Sequence, residues 1–553
     1  MAKDNSLNAA HLLVRCLENE GVKYVFGIPG EENIYFVDAL NSSSIRFILV
    51  RHEQGAAFMA DMYGRLTGRA GVCIATLGPG AINLLLGVAD AQTDSAPLVA
   101  ISAQVALSRI YKESHQSVDL VTMFRPVTKW AEIVLRSEAI PEMVRKAFKL
   151  AQTERPGAVY LAVPEDVEKL PIRRDAAPLP VNVVYDTAPS AGQIRRAAEV
   201  LKGAKAPIVL AGHGAARNDA GDALVRFAER LSVPVTTTFM GKGVFPDDHP
   251  NALGALGFMS HDYVNFGFDR ADVIICVGYD LQEYAPEKFN PDARKKIIHI
   301  HRYPAEVDAH YHVAVGIEGN ISQSLDALAS ACEKSSGASA AVARIRSLLR
   351  NEINRGATDN SFPVRPRRLV ADIRHAMGRQ DIVLVDTGAV KMWMARLYPT
   401  YAANTCLISN GLATMGFAVP GAIAAKLAYP DRKVLAVTGD GGFLMNSQEL
   451  ETAVREKIPF VVLVWEDGAY GLIKWKMRLE LGRDSNCDFT NPDFVAYAES
   501  LGVKGFRVDA AAELLPTLQR ALAGDSVSLV VCQVDYSQNL ALTKMLGEIT
   551  DPL

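Results

Sequence analysis

Short β-branched apolar runs alternate with longer stretches of helical period along nearly the whole chain. Near the front, residues 23–27, 46–50, 71–76 and 97–102 read as strands, with helical patterns between them. The alternation returns at 207–212, 233–237, 272–278 and 296–301, and again at 381–386, 433–438, 460–464 and 528–532. Strands alternating with helices at this spacing predict βαβ units and parallel sheets. Two stretches read as linkers: 171–190, with Pro171, Pro178, Pro180 and Pro189, and 334–368, which opens Ser335-Ser336-Gly337-Ala338-Ser339. The expected architecture is α/β, with three doubly wound parallel-sheet domains at 1–172, 190–334 and 365–545.

Composition narrows the function classes. A chain of 553 residues exceeds the usual size of one hydrophobic core. Hydrophobic residues at 49% and charged residues at 22% are ordinary for a soluble globular protein. A net charge of −4 gives no reason to expect nucleic acid or an anionic membrane surface. No apolar run approaches the roughly 20 residues that span a bilayer, and Met1-Ala2-Lys3-Asp4-Asn5 lacks the apolar core of a secretory signal. Seven scattered cysteines without metal-ligand spacing point to reduced thiols and a cytoplasmic protein.

The chemistry concentrates where two successive apolar runs end. The first is followed by Gly439-Asp440-Gly441-Gly442, the second by Trp465-Glu466-Asp467-Gly468-Ala469-Tyr470-Gly471. Alone, a Gly-Asp-Gly turn is more often a connector than a site. A second acid at the end of the next strand changes that reading, because both would project at the C-terminal edge of a parallel sheet, where ligands bind. Mg²⁺ takes hard oxygen ligands and commonly bridges carboxylates to phosphate oxygens. The glycines let the backbone approach such a ligand, and a helix start offers N–H groups to its charge. A metal-held diphosphate is expected here.

These two segments resemble the metal-diphosphate motif of thiamine-diphosphate-dependent enzymes. By that resemblance Asp440, the Asp467 side chain and the Ala469 carbonyl bind Mg²⁺, and the N–H groups of Gly441 and Gly442 face the diphosphate. Many relatives have asparagine at the position of Asp467. Arg51-His52-Glu53-Gln54-Gly55-Ala56-Ala57 resembles the segment carrying the activating glutamate, so Glu53 is assigned the hydrogen bond to ring nitrogen N1′ of the aminopyrimidine. Asn410-Gly411-Leu412-Ala413-Thr414-Met415-Gly416-Phe417 resembles the passage that bends the cofactor. Met415 falls on the wedge position, and the Ala413 carbonyl accepts from the aminopyrimidine; relatives often have glycine there. Gly388 and Tyr470 are expected beside the cofactor.

The resemblance covers nearly the whole chain and is densest to acetolactate synthases, through Phe26-Gly27-Ile28-Pro29-Gly30, Thr76-Leu77-Gly78-Pro79-Gly80-Ala81 and Arg155-Pro156-Gly157-Ala158-Val159. His115-Gln116-Ser117-Val118-Asp119 and Asp386-Thr387-Gly388-Ala389-Val390-Lys391-Met392-Trp393 look more like the catabolic, FAD-independent members than the biosynthetic acetohydroxyacid synthases. The three domains are then pyrimidine-binding, middle and diphosphate-binding. The implied reaction is a Mg²⁺- and thiamine-diphosphate-dependent condensation of two pyruvates to 2-acetolactate with loss of CO₂. Gln116 is placed near cofactor and substrate as a second catalytic residue. Lys476 either meets the carboxylate of the second pyruvate or is an ordinary surface lysine. Ala211-Gly212-His213-Gly214 is not a convincing dinucleotide fingerprint, and His299 and His301 stand where flavin-binding relatives tend to carry acids, so FAD is not expected. The two histidines read as strand residues, since no third metal ligand is evident. In the family the first and third domains meet across a subunit boundary, which implies a homodimer or homotetramer. The alternatives are an FAD-containing biosynthetic enzyme, a thiamine-diphosphate 2-oxoacid decarboxylase or oxidase, and a catalytically silent subunit.

Overall fold

Runs that are apolar on every residue become strands covered on both faces, and three six-stranded, all-parallel sheets flanked by helices result. The structure is a computed structural model and describes residues 7–182, 186–257, 262–334 and 340–548. The opening pentapeptide and the Ser335–Ser339 stretch read above as linker lie outside the described residues.

The first sheet comprises β1 (Tyr24–Gly27), β2 (Arg46–Leu49), β3 (Gly71–Ala75), β4 (Leu98–Gln104), β5 (Trp130–Ile133) and β6 (Ala158–Pro164), in the order β2-β1-β3-β4-β6-β5. The second comprises β7 (Pro207–Ala211), β8 (Val235–Thr237), β9 (Ala252–Ala255), β10 (Val273–Val277), β11 (Lys296–His301) and β12 (Val313–Glu318), ordered β12-β11-β10-β7-β8-β9. The third comprises β13 (Ile382–Val385), β14 (Cys406–Ile408), β15 (Val434–Gly439), β16 (Val461–Glu466), β17 (Lys504–Val508) and β18 (Ser528–Gln533), ordered β14-β13-β15-β16-β18-β17. Each order reverses near its middle, between β1 and β3, between β7 and β10, and between β13 and β15, and the first and third orders turn back again at their outer pairs, β6-β5 and β18-β17. Such reversals open a crevice at the C-terminal ends of the strands, where doubly wound folds bind ligands.

The chain forms two compact units. One contains the first sheet together with Gly411–Pro430 and Leu444–Pro459; the other contains the second and third sheets. In the first unit the core runs from Ala9 to Val167, and the helix Ala418–Ala428, which lies beyond β14 in the chain, packs on the helix Glu53–Thr67.

The stretch 171–182 carries neither helix nor strand. The linker reading of 334–368 needs correction, because an 18-residue helix, Ala340–Ala357, occupies its middle. Val342 and Ile345 are buried in a core of the second sheet with Leu349 against them, while Ile353 packs on the core of the third. That apolar stripe at helical spacing gives the segment a face to bury. Glu352 of this helix accepts from Arg396 Nη1 (2.8 Å) and Arg367 Nε (3.0 Å). His299 and His301 sit in β11 as stacked, buried strand residues with centroids 5.6 Å apart. All seven cysteines are free. Among the described residues no helix is long and apolar enough to cross a membrane.

Candidate active site

The paired acids stand as strand geometry requires. β15 and β16 are adjacent and parallel, with Gly439 opposite Trp465, so Asp440 and Asp467 leave neighbouring strand ends at the same sheet edge. Asp440 is buried, and its Oδ2 accepts from Asp467 N (3.0 Å), Gly468 N (2.7 Å) and Asn491 Nδ2 (2.8 Å). Its Oδ1 accepts from Gly441 N (2.8 Å), so this N–H turns to the carboxylate. Burial, and next the neighbouring Asp440 charge, push the Asp467 carboxyl up to about 7. Two close carboxylates with such mutual repulsion form a hard-oxygen donor set that a divalent cation would neutralise. Among the described residues no group of three or more His, Cys, Asp or Glu side chains forms a metal cluster, so an ion here would draw on backbone oxygen as well.

The same edge carries the rest of the expected diphosphate end. Gly388 precedes the helix Ala389–Leu397, directly beyond β13. Asp386 Oδ2 accepts from Thr438 Oγ1 (3.1 Å), tying the ends of β13 and β15 together, and Gly442 lies against that carboxyl. Thr387 Oγ1 is buried without a hydrogen-bond partner among the described residues, as is Asn491 Oδ1. A buried hydroxyl beside Gly388 and a buried amide oxygen beside Asp440 suit a phosphate and a cation respectively. Tyr470 packs its ring on Phe489 (5.1 Å between centroids) and abuts Gly441, where any Cβ would stand 2.9 Å from the tyrosine ring. Lys476 is 69% exposed on the helix Gly471–Leu481, with Nζ 3.1 Å from Glu480 Oε1.

The first unit holds the remaining candidates. Glu53 opens the helix Glu53–Thr67, whose N-cap His52 accepts from Gln54 N through Nδ1 (3.0 Å). The Glu53 carboxyl is buried and accepts from Asn83 Nδ2 (3.0 Å). Asn83 lies in the first turns of the helix Pro79–Thr93. Gln116 is exposed in a left-handed turn (φ 55°), its backbone oxygen against Gly78 at the start of that same helix. Ala413 and Met415 are held near the helix's other end, about two turns beyond Asn83. There Asp94 Oδ1 accepts from Gly411 N (2.6 Å) and Asp90 Oδ1 from Thr414 Oγ1 (2.8 Å). Arg65 pairs with Asp61 (3.2 Å), Asp94 (3.0 Å) and Asp90 (3.7 Å), all with essentially no exposure. Ala413 takes φ 54°, a left-handed conformation that favours glycine. Met415 is half-buried rather than packed in the core.

The crevice of the second sheet is filled by the protein's own groups. Glu283, buried beyond β10, accepts from His213 N through both oxygens (3.0 and 2.9 Å), from Asp280 N (3.0 Å) and from Thr238 Oγ1. Burial, then the charge of Asp280, push its carboxyl up to about 8. His213 directly follows the β7 turn, so a carboxylate takes the first N–H of the next helix.

Sequence reasoning passes over Asn83, Asn491, Asp90, Asp94 and Arg65. Nothing local marks them; each matters through a partner distant in the chain.

Comparison with known proteins agrees with the geometry. Residues 7–123 match the N-terminal TPP binding domain of thiamine pyrophosphate (thiamine diphosphate) enzymes, 194–328 their central domain, and 386–532 their C-terminal TPP binding domain. The chain is 37% identical to the catabolic acetolactate synthase of Raoultella terrigena, over 98% of this chain and 97% of that protein. It is 35% identical to the acetolactate synthase of Bacillus subtilis (98% and 96% covered) and 35% to the acetolactate synthase large subunit of Corynebacterium glutamicum (94% and 85%). Three parallel-sheet domains in this order, with full-length similarity, place the chain in the thiamine-diphosphate-dependent acetolactate synthase family.

Proposed function

We propose that this chain condenses two pyruvates to 2-acetolactate with loss of CO₂, dependent on Mg²⁺ and thiamine diphosphate and independent of FAD. The observation that carries the reading is the pair of acids, buried Asp440 and half-buried Asp467, on adjacent parallel strand ends in a chain of this family. Asp440, Asp467 and the Ala469 carbonyl would hold Mg²⁺; Thr387, Gly388, Gly441, Gly442 and Tyr470 would surround the diphosphate. When bound, thiamine diphosphate would supply a carbon nucleophile, its C2 after loss of the proton, and a ring able to accept the electron pair released with CO₂. Glu53 would hold a proton at ring nitrogen N1′, and a charge-assisted bond of this kind is worth about 1.5–3 kcal/mol. Met415 would keep the two rings bent together, and the Ala413 carbonyl would accept from the amino group. Gln116, exposed at its turn, would face the substrate. Lys476 would reach the second pyruvate's carboxylate only by leaving Glu480.

The flavin-free reading is supported by Glu283. A nucleotide phosphate entering the second sheet's crevice would compete for N–H groups this carboxylate already occupies, and would meet its negative charge. Free thiols fit a reducing cytoplasm. The family's domain arrangement supports a homodimer or homotetramer.

The test is one incubation of purified protein with pyruvate, Mg²⁺ and thiamine diphosphate, without FAD. Acetolactate, measured as acetoin after acid treatment, is the expected product. A yellow protein needing flavin favours the biosynthetic alternative, and aldehyde or peroxide as main product overturns the carboligase reading. Asp440→Ala is expected to lose Mg²⁺-dependent retention of thiamine diphosphate in equilibrium dialysis; tight binding by that variant removes the metal role.

A further inference from the structure

A second buried acid stands beside the segment that carries Glu53. Glu449 opens the helix Glu449–Arg455 and is 0% exposed. Its carboxylate accepts from Arg51 N (3.1 and 3.3 Å), His52 N (3.0 Å) and Thr452 Oγ1 (2.7 Å). Arg51 and His52 are the two residues immediately before Glu53, so a side chain some 400 positions away takes up the backbone donors at the entry to its helix. The approach depends on Gly55, where a Cβ would stand 2.7 Å from Glu449 Oε1.

The clamp is reinforced along its length. Arg455 Nη2 donates to Leu49 O, and Arg46 Nη2 pairs with Glu456 (2.7 Å), fastening the same helix to β2. Glu53 itself has one side-chain hydrogen bond among the described residues, from Asn83. Beside that bond, the backbone that Glu449 holds fixes the point from which the Glu53 side chain starts. Burial raises Glu449 to about 7, a cost that only a fixed, fully bonded site sustains.

We propose that Glu449 is a positioning residue for Glu53, fixing the Arg51–His52 backbone so that the Glu53 carboxyl meets its target atom. The inference rests on the cofactor role given to Glu53 above. The test uses full-length wild type, Glu449→Gln and Glu53→Gln, each loaded with Mg²⁺ and thiamine diphosphate. Three quantities are read: hydrogen exchange of the amides at 51–52, cofactor affinity, and the rate of deuterium exchange at the cofactor C2 position without pyruvate. Glu449→Gln keeps the shape but gives one acceptor oxygen and an NH₂ group facing N–H donors. It is expected to speed amide exchange at 51–52 by about tenfold or more and to slow C2 exchange by about a hundredfold, with cofactor affinity little changed. Glu53→Gln is expected to slow C2 exchange while leaving the amides at 51–52 protected. Loss of C2 exchange in Glu53→Gln but not in Glu449→Gln, or unchanged amide protection in Glu449→Gln, overturns the positioning role alone. Wild-type C2 exchange in Glu53→Gln overturns the Glu53 assignment and this inference with it. If Glu449→Gln does not fold, Glu449→Asp, which keeps the charge but shortens the reach, is read by the same criteria.

Discussion

Replacing Glu53 by glutamine is expected to leave thiamine diphosphate bound and to lower kcat by about 10² to 10⁴-fold, the range over which a positioned acid–base group acts. The amide preserves volume and can keep the bond from Asn83, so the first unit should fold as before. What it loses is the ability to exchange a proton with a ring nitrogen. The separation to look for is an unchanged dissociation constant for the cofactor with a collapsed turnover. A variant turning over pyruvate at the wild-type rate would refute the assignment, and loss of cofactor binding would show that Glu53 acts in affinity rather than activation.

Arg396→Met is expected to cost about 3–5 kcal/mol of stability, because it strands the buried Asp262 carboxylate and leaves Glu352 only its bond from Arg367. The Arg396 guanidinium is 1% exposed and donates to both oxygens of Asp262 (2.7 and 3.0 Å) and to Glu352 (2.8 Å). Asp262 lies in the segment of the second sheet and Glu352 in the helix once read as linker, so one cation ties three stretches of the second unit. Burial alone would lower its pKa, yet the two carboxylates hold it raised. Urea titration of the loaded enzyme checks the size of the loss, and a midpoint within error of wild type would contradict it. Adding Asp262→Asn to Arg396→Met should recover much of the loss, since the unpaired charge then disappears.

Most strands legible in the sequence are buried on both faces, edge strand β2 with its exposed Arg46 and Leu49 being the exception. β3, β10 and β13 are buried at every residue and read as unbroken apolar runs. The strands passed over are mostly sheet edges: β5, β9, β12, β14 and β17. β17, Lys504–Val508, is largely accessible and carries Lys504 and Arg507, so its run is interrupted. Edge strands tolerate such charges because one side has no neighbouring strand. β6 is as buried as β4, and the pattern reading overlooks it. The helix Ala340–Ala357 escaped for a different reason: a Ser- and Gly-rich opening and a Pro/Arg-rich end frame its apolar stripe.

The candidate site divides in the same manner. Asp440 and Asp467 were readable as a pair because consecutive strands of a parallel sheet must end on the same side, which strand order then placed next to one another. Ala413 was readable as a departure from glycine, but its left-handed backbone became visible only in the fold.

Residue type and spacing alone determined that the chain is built of parallel α/β sheets and which strand-end turns carry the paired acids and glycines of the candidate site. The tertiary structure decided who supports them: Asn491 on Asp440, Asn83 and Glu449 at Glu53, Asp90 and Asp94 under residues 411–414, and Glu283 filling the second sheet's crevice. The physical reason is that a buried polar group must find a partner wherever the fold delivers one. Local spacing records the strand or helix that presents such a group, but not the distant segment that meets it.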